Sequence, residues 1–253
     1  MTPANSQHTA LRIISAGAAK GLITDLQEPF ARTSPHIQLS FDNSFGAVGA
    51  MKDIFKAEVL TLAAEDLAGV VMISSESLLN DLIKEGLLDP ASYTPIGWVS
   101  TAVARLEGDD SIQALPKEED LQHALLHAPV IYAPDTEKST AGIHFKKVLM
   151  ALELWTPLKD RIQNFPNGAA AMGQMAKDHI QGALGCTQVT EINYTAGVEV
   201  ISLLPKRFEL NTLYSAASAL RGHQPSLAND FIRFLSGDSP AKEARLSGGF
   251  FDL

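Results

Sequence analysis

Leu11-Arg-Ile-Ile-Ser-Ala-Gly-Ala-Ala-Lys-Gly21 is the stretch of sequence that decides the fold. Residues 11–15 have the apolar, β-branched character of a strand, and a run of small residues follows them. Between residues 18 and 31, apolar side chains recur at helical spacing and give the predicted helix one buried face. They are Leu22, Ile23, Leu26 and Phe30. A strand, a loop of small residues and an amphipathic helix form the first βα unit of an α/β protein.

The same alternation of short strands and helices continues through the N-terminal third of the chain. Strands are predicted at 37–41 and 69–74, and helices at 46–55 and 77–85, the last of them ended by Gly86. This order is typical of parallel βαβ units.

The rest of the chain predicts a second lobe and a return to the first. An extended run, 99–106, follows Tyr93-Thr-Pro-Ile-Gly-Trp98, and we place a crossing into the second lobe here. Helices are predicted at 118–127, 141–152 and 168–178, with strands at 130–132 and 183–186. Strand 198–204, before Pro205, is predicted to cross back, and helices at 227–235 and 241–246 to pack on the first lobe. We therefore expect lobe 1 to comprise residues 1–98 and 205–253, and lobe 2 residues 99–204, joined by a two-stranded hinge.

Composition excludes several classes of function. The formal net charge of -9 argues against nucleic acid or an anionic membrane surface as partner, because both require clustered positive charge. The single cysteine, Cys186, excludes an internal disulfide and a cysteine-rich metal site. No apolar run reaches the roughly 20 residues that span a bilayer, so membrane insertion is not expected, and the first residues carry no export signal. We expect either a cytoplasmic protein or one whose leader has been removed.

The histidines give no metal-binding pattern. They are His8, His36, His123, His127, His144, His179 and His223. Only His123 and His127 have a metal-like spacing, and without a third ligand a solvated helix face accounts for them better. We predict neither a metal nor a cofactor.

Four loops that precede predicted helices contain the candidate ligand-binding residues. Ligands of open α/β sheets bind beyond the carboxyl ends of the strands, where helix N-termini favour an anion. The candidates are Gly17, Ala18, Ala19 and Lys20 in the first loop, Ser44 and Phe45 in the second, Thr140 and Ala141 in the third, and Asn167, Gly185, Thr187 and Gln188 in the fourth region. Plainer interpretations are tight packing of the small residues and helix capping by Ser44, Ser139 or Thr140, and Asn167.

Taken together, these loops resemble those of the molybdate-binding proteins of ABC transporters and their wider solute-binding family. The matching stretches are Ile13-Ile-Ser-Ala-Gly-Ala18, Leu39-Ser-Phe-Asp-Asn-Ser44, Val70-Val-Met-Ile-Ser-Ser75, Leu82-Ile-Lys-Glu-Gly-Leu87 and Ser139-Thr-Ala-Gly-Ile143. The likeness runs from about Leu11 to Phe250. It implies the class II periplasmic-binding-protein fold, with two α/β lobes, a ligand cleft between them and two crossing strands. It also implies a periplasmic location and an ABC permease as partner; we expect a monomer.

The resemblance also implies positions for the groups that would donate to an oxyanion. They fall at Ala18, Ser44, Ala141, near Asn167 and near Gly185. The family usually has a serine hydroxyl where Ala18 aligns and a tyrosine hydroxyl where Gly185 aligns. A metal oxyanion would thus lose two neutral donors, each worth about 1 kcal/mol.

The expected function is binding of a small anion for ABC-type uptake. An organic di- or tricarboxylate is preferred, because the Lys20 ammonium suits a carboxylate, and molybdate comes next. An enzyme is the alternative: the same cleft would isomerise an unsaturated acid such as aconitate, with Lys20, His144 or Glu191 as base. A third interpretation is a ligand sensor that acts through a partner protein. Lys20 is equally well explained as a solvated lysine, and His144 as a packing histidine.

Overall fold

The computed structural model describes residues 8–35, 38–61, 69–221 and 225–251. The N-terminal seven residues, His36, Ile37 and His223 lie outside these ranges, and so do the predictions made on them. No helix in the described ranges is long and apolar enough to cross a membrane.

The strands of the described residues form one sheet with two halves that share strand β4. They are β1 (His8–Ala16), β2 (Gln38–Gly46), β3 (Gly69–Ser75), β4 (Thr94–Leu106), β5 (Ile131–Pro134), β6 (Ile162–Phe165), β7 (Leu184–Gln188), β8 (Val198–Leu203) and β9 (Asn211–Ser218). Their order is β2-β1-β3-β9-β4-β7-β5-β6, with β8 beside β4. Parallel pairing joins β1 to β2 and β3, and β5 to β6 and β7, whereas β4, β8 and β9 pair antiparallel.

Helices cover this sheet. They are α1 (Lys20–Arg32), α2 (Val48–Thr61), α3 (Glu76–Lys84), α4 (Glu118–His127), α5 (Thr140–Ala151), α6 (Trp155–Leu158), α7 (Gly168–Asp178), α8 (Val189–Asn193), α9 (Pro225–Ser236) and α10 (Ala241–Gly248). A 3₁₀ turn at Gly17–Ala19 precedes α1. The predicted fold class, two α/β lobes sharing crossing strands, is confirmed.

The long strand β4 belongs to both halves of the sheet. Residues 94–100 pair with β9 in the first half, whereas residues 101–104 pair with β7 and residues 102–106 with β8 in the second half. The chain therefore passes from one lobe to the other within a single strand.

Each half of the sheet buries both faces. Alternate side chains of a strand point to opposite faces, so Ile13 packs with α1 and α9 residues while Ile14 packs with α2 and α3 residues. In the second half Ile131 packs with α4 and α5 residues, and Tyr132 with α7 residues. The apolar helix face predicted at Leu22 and its neighbours is buried, as expected.

Three parts of the sequence interpretation were wrong. Residues 42–46 are not a loop, because β2 continues to Gly46, and the following helix begins at Val48 and runs to Thr61. Strand 198–204, predicted to cross back, corresponds to β8, which pairs with the second half of β4. The strand between β3 and β4 is β9, which was not predicted; nor were β6, α6 and α8.

Candidate functional site

A small cavity lies where the carboxyl ends of the strands in the two halves of the sheet face each other. Its volume is about 10 Å³, room for about one water molecule. The lining comes from three short segments and four single residues: residues 16–18, 46–48 and 139–141, together with Asn167, Gln188, Glu191 and Tyr214.

Six of the predicted binding residues meet at this cavity. They are Gly17, Ala18, Thr140, Ala141, Asn167 and Gln188. Glu191, which was considered only as an alternative base, also lines it. Residues that were predicted from distant parts of the sequence therefore lie together at this cavity. Their role in binding stays a prediction.

The first loop approaches the cavity with backbone and methyl groups. Gly17 and Ala18 are buried, and no side chain caps the 3₁₀ turn. Gly17 has to be glycine, since a Cβ there would lie 2.6 Å from Oε1 of Glu191. The first loop of one lobe therefore lies directly against the Glu191 carboxylate of the other lobe.

Helix α5 begins at the cavity with an N-terminus that no side chain caps. Ser139 is buried in the N-cap position, but its hydroxyl does not bond the first N–H groups of the helix, so the expected side-chain cap is absent there. Gly142 lets this turn pack on the end of β5, because a Cβ would lie 2.2 Å from the carbonyl oxygen of Asp135. Helix dipole and N–H groups at this end favour a negative group in the cavity.

Helix α7 also begins at the cavity, and its N-terminus is already occupied. Asn167 is the N-cap, its side-chain oxygen accepting from the N–H of Ala170 at 2.9 Å. The N–H of Gly168 donates to Oε1 of Glu191 at 3.1 Å, and the Thr187 hydroxyl donates to Oε2 at 2.5 Å. Burial raises the pKa of Glu191, and the hydrogen bonds from Thr187 and from the α7 backbone oppose that rise.

Gln188 and Tyr214 bring polar side-chain groups to the cavity, and neither side chain caps a helix end. Gln188 is 2% exposed, and neither its amide nitrogen nor its amide oxygen has a hydrogen bond of regular geometry within the described residues. Burial and the nearby Glu191 raise the pKa of the Tyr214 phenol, while the approach of Gln188 works in the opposite direction. Tyr214 was missed because it lies on β9, which is buried on both faces and has no alternating pattern.

A wider pocket adjoins the cavity on the other side of Glu191. Its volume is about 390 Å³, and Gly17 and Glu191 line both spaces. Lys20 lies here rather than in the cavity, and its ammonium stands 6.0 Å from the ring centre of Phe45. The Tyr194 hydroxyl closes one side by donating to Asp25 at 3.0 Å, linking α8 to α1.

Several predicted residues lie elsewhere. Ser44 sits inside β2, where its hydroxyl accepts from Nη2 of Arg12 at 2.8 Å, and neither Ser44 nor Phe45 lines the cavity. Ala19 is fully buried in the core of the first half. Ser44 and Phe45 do not reach the cavity because β2 extends through the segment that was taken for a loop. A role of these three residues in binding stays a prediction.

Three residues that were predicted for the site in the second half do not line the cavity. A Cβ at Gly185 would lie 2.5 Å from the Met172 side chain, so this position faces the core beneath α7 and not the cavity. Thr187 acts on Glu191 instead of lining the cavity. His144 is not in the cleft, because its Nε2–H donates to the carbonyl of Phe208 at 2.7 Å. It is the packing histidine of the plainer interpretation.

The two histidines with metal-like spacing stack on each other. The ring centres of His123 and His127 are 4.1 Å apart, and Nδ1 of His127 contacts the His123 carbonyl at 2.8 Å. In the described ranges, no three His, Cys, Asp or Glu side chains gather as metal ligands.

Known proteins share this architecture along the whole chain. An aconitate isomerase from Pseudomonas sp is 25% identical over 244 residues, covering 95% of this chain and 87% of that protein. The periplasmic molybdate-binding protein of Azotobacter vinelandii superposes with a TM-score of 0.74 at 18% identity, over 96% of this chain and 99% of that one. The sulfate-binding protein SubI from Mycobacterium tuberculosis H37Rv superposes with a TM-score of 0.69 at 12% identity, over 96% and 86% of the two chains.

The solved structures show the fold, and a match to a family model shows the family. The model that describes bacterial extracellular solute-binding proteins matches residues 11–249. The match spans both lobes and every segment that lines the cavity. The chain belongs to the bacterial extracellular solute-binding protein family.

Proposed function

We propose that this chain binds a small organic di- or tricarboxylic acid between its lobes and presents it to an ABC-type permease. The observation that carries the proposal is Gln188, at a cavity where two helix N-termini meet. Its buried amide lies beside the Tyr214 phenol and has no hydrogen bond of regular geometry within the described residues. An unpaired buried amide costs about 1–3 kcal/mol, which a polar ligand would offset by bonding to it.

The groups around Gln188 suit a carboxylate. The amide offers both a donor and an acceptor, and the N-terminus of α5 favours a negative group. Lys20 in the adjoining pocket adds a positive charge for a second carboxylate of the same ligand, once the lobes have opened enough to admit it. A di- or tricarboxylic acid would therefore span the cavity and the pocket.

Molybdate and similar oxyanions are the weaker candidates. Ala18 brings only a methyl group to the cavity, and Gly185 faces a buried methionine.

Thermal stability measured with a panel of anions tests the proposal. Citrate, cis-aconitate or trans-aconitate at about 100 times its Kd should raise the melting temperature by roughly 5–10 °C, because binding to the folded state alone adds about 2.7 kcal/mol. Molybdate, tungstate and sulfate at the same concentration should give no rise. Stabilisation by molybdate without any by the organic acids would contradict the proposal.

A second candidate is an isomerase that acts on an unsaturated organic acid. Glu191 favours it, because a buried carboxyl with a raised pKa at the cleft suits proton transfer. The carboxylate would take a proton from a carbon next to a substrate carboxylate, the double bond would shift by one position, and the proton would return to the far carbon. The aconitate isomerase relative makes aconitate the substrate to try first.

Proton NMR of cis- and trans-aconitate in D₂O separates the two candidates. An isomerase converts either acid to the other and exchanges its carbon-bound protons for deuterium, and the Glu191→Gln variant does neither. A binding protein neither converts the acids nor exchanges their carbon-bound protons, at catalytic or at stoichiometric protein concentration; at the latter it only shifts or broadens the signals of an acid that it binds.

A further inference from the structure

Helix α8 belongs to the second half of the sheet, but its end is docked on helices of the first half. The helix lies between β7 and β8, and both of these strands pair with residues 101–106 of β4. Beyond its last turn, Tyr194 and Asn193 contact α1 and α10, which pack on the first half. The end of this short helix is therefore a place where the two lobes are held together.

Two glycines of the first lobe form a socket for the Tyr194 ring. A Cβ on Gly21 of α1 would lie 2.1, 2.2 and 2.3 Å from three carbon atoms of the ring. A Cβ on Gly248 of α10 would lie 2.9 Å from Cε2 and from the hydroxyl oxygen. A side chain at either position would collide with the ring, so the ring lies directly against the backbones of two helices. We call Gly21 and Gly248 the glycine socket.

Hydrogen bonds fix the same contact at its polar end. The Tyr194 hydroxyl donates to Oδ2 of Asp25 on α1 at 3.0 Å, and the Asn193 amide nitrogen donates to the carbonyl of Gly248 at 3.4 Å. Burial and the bond to Asp25 raise the pKa of Tyr194, so the phenol keeps the proton that it donates. Tyr194 is 37% exposed and lines the pocket beside Glu191, so this contact lies at the surface between the lobes and not in a core.

The helix that ends at Tyr194 also carries two side chains of the cavity. Gln188 occupies the N-cap position of α8, Glu191 lies within the helix and Tyr194 occupies the C-cap position. Oε1 of Glu191 would lie 2.6 Å from a Cβ on Gly17 of the first lobe. The position of Tyr194 on the first lobe therefore also sets how closely Gln188 and Glu191 approach the loop after β1.

We infer that Tyr194 is a positioning residue that holds the two lobes, in the absence of ligand, in the closed arrangement with its cavity of about 10 Å³. Separated lobes would lose the packing in the glycine socket and the bond to Asp25. One net hydrogen bond shifts an equilibrium between two arrangements by about fivefold. A ligand that binds the closed arrangement then binds more tightly, in proportion to the closed fraction. The inference uses the lobe closure of the proposed function and does not depend on which anion binds.

Interlobe distances measured without ligand test the inference. Spin labels on Asp53→Cys of α2 and on Glu137→Cys, in the loop before α5, report the separation of the lobes, and the native Cys186 is buried. In this background, Tyr194→Ala should lower the ratio of closed to open distances by at least about fivefold. Tyr194→Phe keeps the ring and loses only the bond to Asp25, so it should give a smaller decrease.

Gly21→Ala tests the socket with Tyr194 left in place. The new methyl group would occupy the space of the ring, so the lobes should open as in Tyr194→Ala, although alanine favours helix α1. Gly173→Ala is the matched control, because it makes the same change in a helix where nothing lies within 4 Å of the Cβ. Tyr132→Phe is the second control, because its hydroxyl donates to Asp178 at 2.6 Å within one lobe. Neither control should change the distances.

Unchanged distances in Tyr194→Ala and Gly21→Ala would overturn the inference, because the contact would then not favour the closed arrangement. A higher closed fraction in either variant, equal changes in the two controls, or the absence of closed distances from the ligand-free wild type would overturn it as well. If an organic acid binds the wild type, its affinity for Tyr194→Ala should fall by the same factor as the closed fraction. If none binds, the proposed ligand is wrong and the ligand-free distances still decide the role of Tyr194.

Discussion

At the scale of single residues, Gln188 is the side chain that the fold alone does not account for. A core position with 2% exposure would ordinarily hold an apolar residue or a fully bonded amide. Gln188 approaches Tyr214 but has no hydrogen bond of regular geometry within the described residues. Gln188 lines the cleft, and its unsatisfied amide lowers the free energy of unfolding. Binding sites commonly hold such destabilising polar groups.

The Gln188→Leu variant should be more stable and should bind less. Removing an unsatisfied buried amide should raise the free energy of unfolding by about 1–3 kcal/mol, while the ligand loses its partner. Urea denaturation and an anion titration on the same preparation measure both effects. Gln174→Met is the matched control, because Gln174 lies away from the cavity on α7 and bonds only to Asp178. A Gln188→Leu protein that binds normally would remove Gln188 from the site.

Two glycines of α7 give a second prediction at the residue scale. Gly168→Ala should lower the free energy of unfolding by about 1–3 kcal/mol, because its Cβ would lie 2.0 Å from both Glu191 and Thr187 oxygens. Gly173→Ala should raise it by about 0.5–1 kcal/mol, because nothing lies within 4 Å of that Cβ and alanine favours a helix. Denaturant melts of the two variants should therefore move in opposite directions. Equal stability would mean that the Glu191 pocket is not as tight as the structure indicates.

At the scale of elements, Arg12 ties helix α2 to the edge of the sheet. Its guanidinium donates to both oxygens of Glu58 on α2, at 3.0 and 2.6 Å, and to the Ser44 hydroxyl on β2. The Arg12 side chain is 14% exposed, so these bonds are shielded from solvent. They fix the segment between β2 and α2, where residues 46–48 reach the cavity.

Glu58→Gln should weaken this attachment. Loss of the charge-assisted bonds should lower the free energy of unfolding by about 1–2 kcal/mol. Glu28→Gln is the control, because Glu28 pairs with Arg32 on the exposed face of α1 and its loss should change stability by less than about 0.5 kcal/mol. Chemical denaturation of both variants measures the difference. Equal effects would show that the Arg12 cluster does not stabilise α2 against the sheet.

The elements that the sequence predicted well have either a one-sided apolar pattern or a continuous apolar run. Helix α1 has a single apolar stripe, and β1 and β3 are apolar runs bounded by turn residues. Strand β9 could not be found this way, because its small residues are buried on both sides between β3 and β4. Strand β2 was cut short because its polar end lies at the sheet edge, where polar side chains are tolerated. These two errors explain why Tyr214 was not predicted and why Ser44 was placed in a loop instead of a strand.

At the scale of the whole molecule, the two lobes are in contact across the cleft. The N–H of Gly49 on α2 donates to the carbonyl of Lys138, in the loop before α5, at 3.2 Å. With about 10 Å³ left in the cavity, this arrangement is a closed one. We propose that residues 1–98 and 205–253 move as one body relative to residues 99–204, with β4 as part of the hinge.

Spin labels on Asp53→Cys and Glu137→Cys should detect this movement. Both positions are exposed, one on α2 and one before α5, and the native Cys186 is buried and will not be labelled. We expect a longer, broader distance distribution without ligand and a shorter, narrower one with a binding organic acid. Identical distributions would mean that the lobes do not open and that the ligand enters by another path.

Calorimetric titration of the wild type and Gln188→Leu with citrate and with trans-aconitate tests the central claim most directly. The account predicts that at least one of these acids binds the wild type with one site per chain, and that Gln188→Leu loses at least about tenfold in affinity. Saturable binding of molybdate or sulfate to the wild type, with no heat from either organic acid, would contradict it.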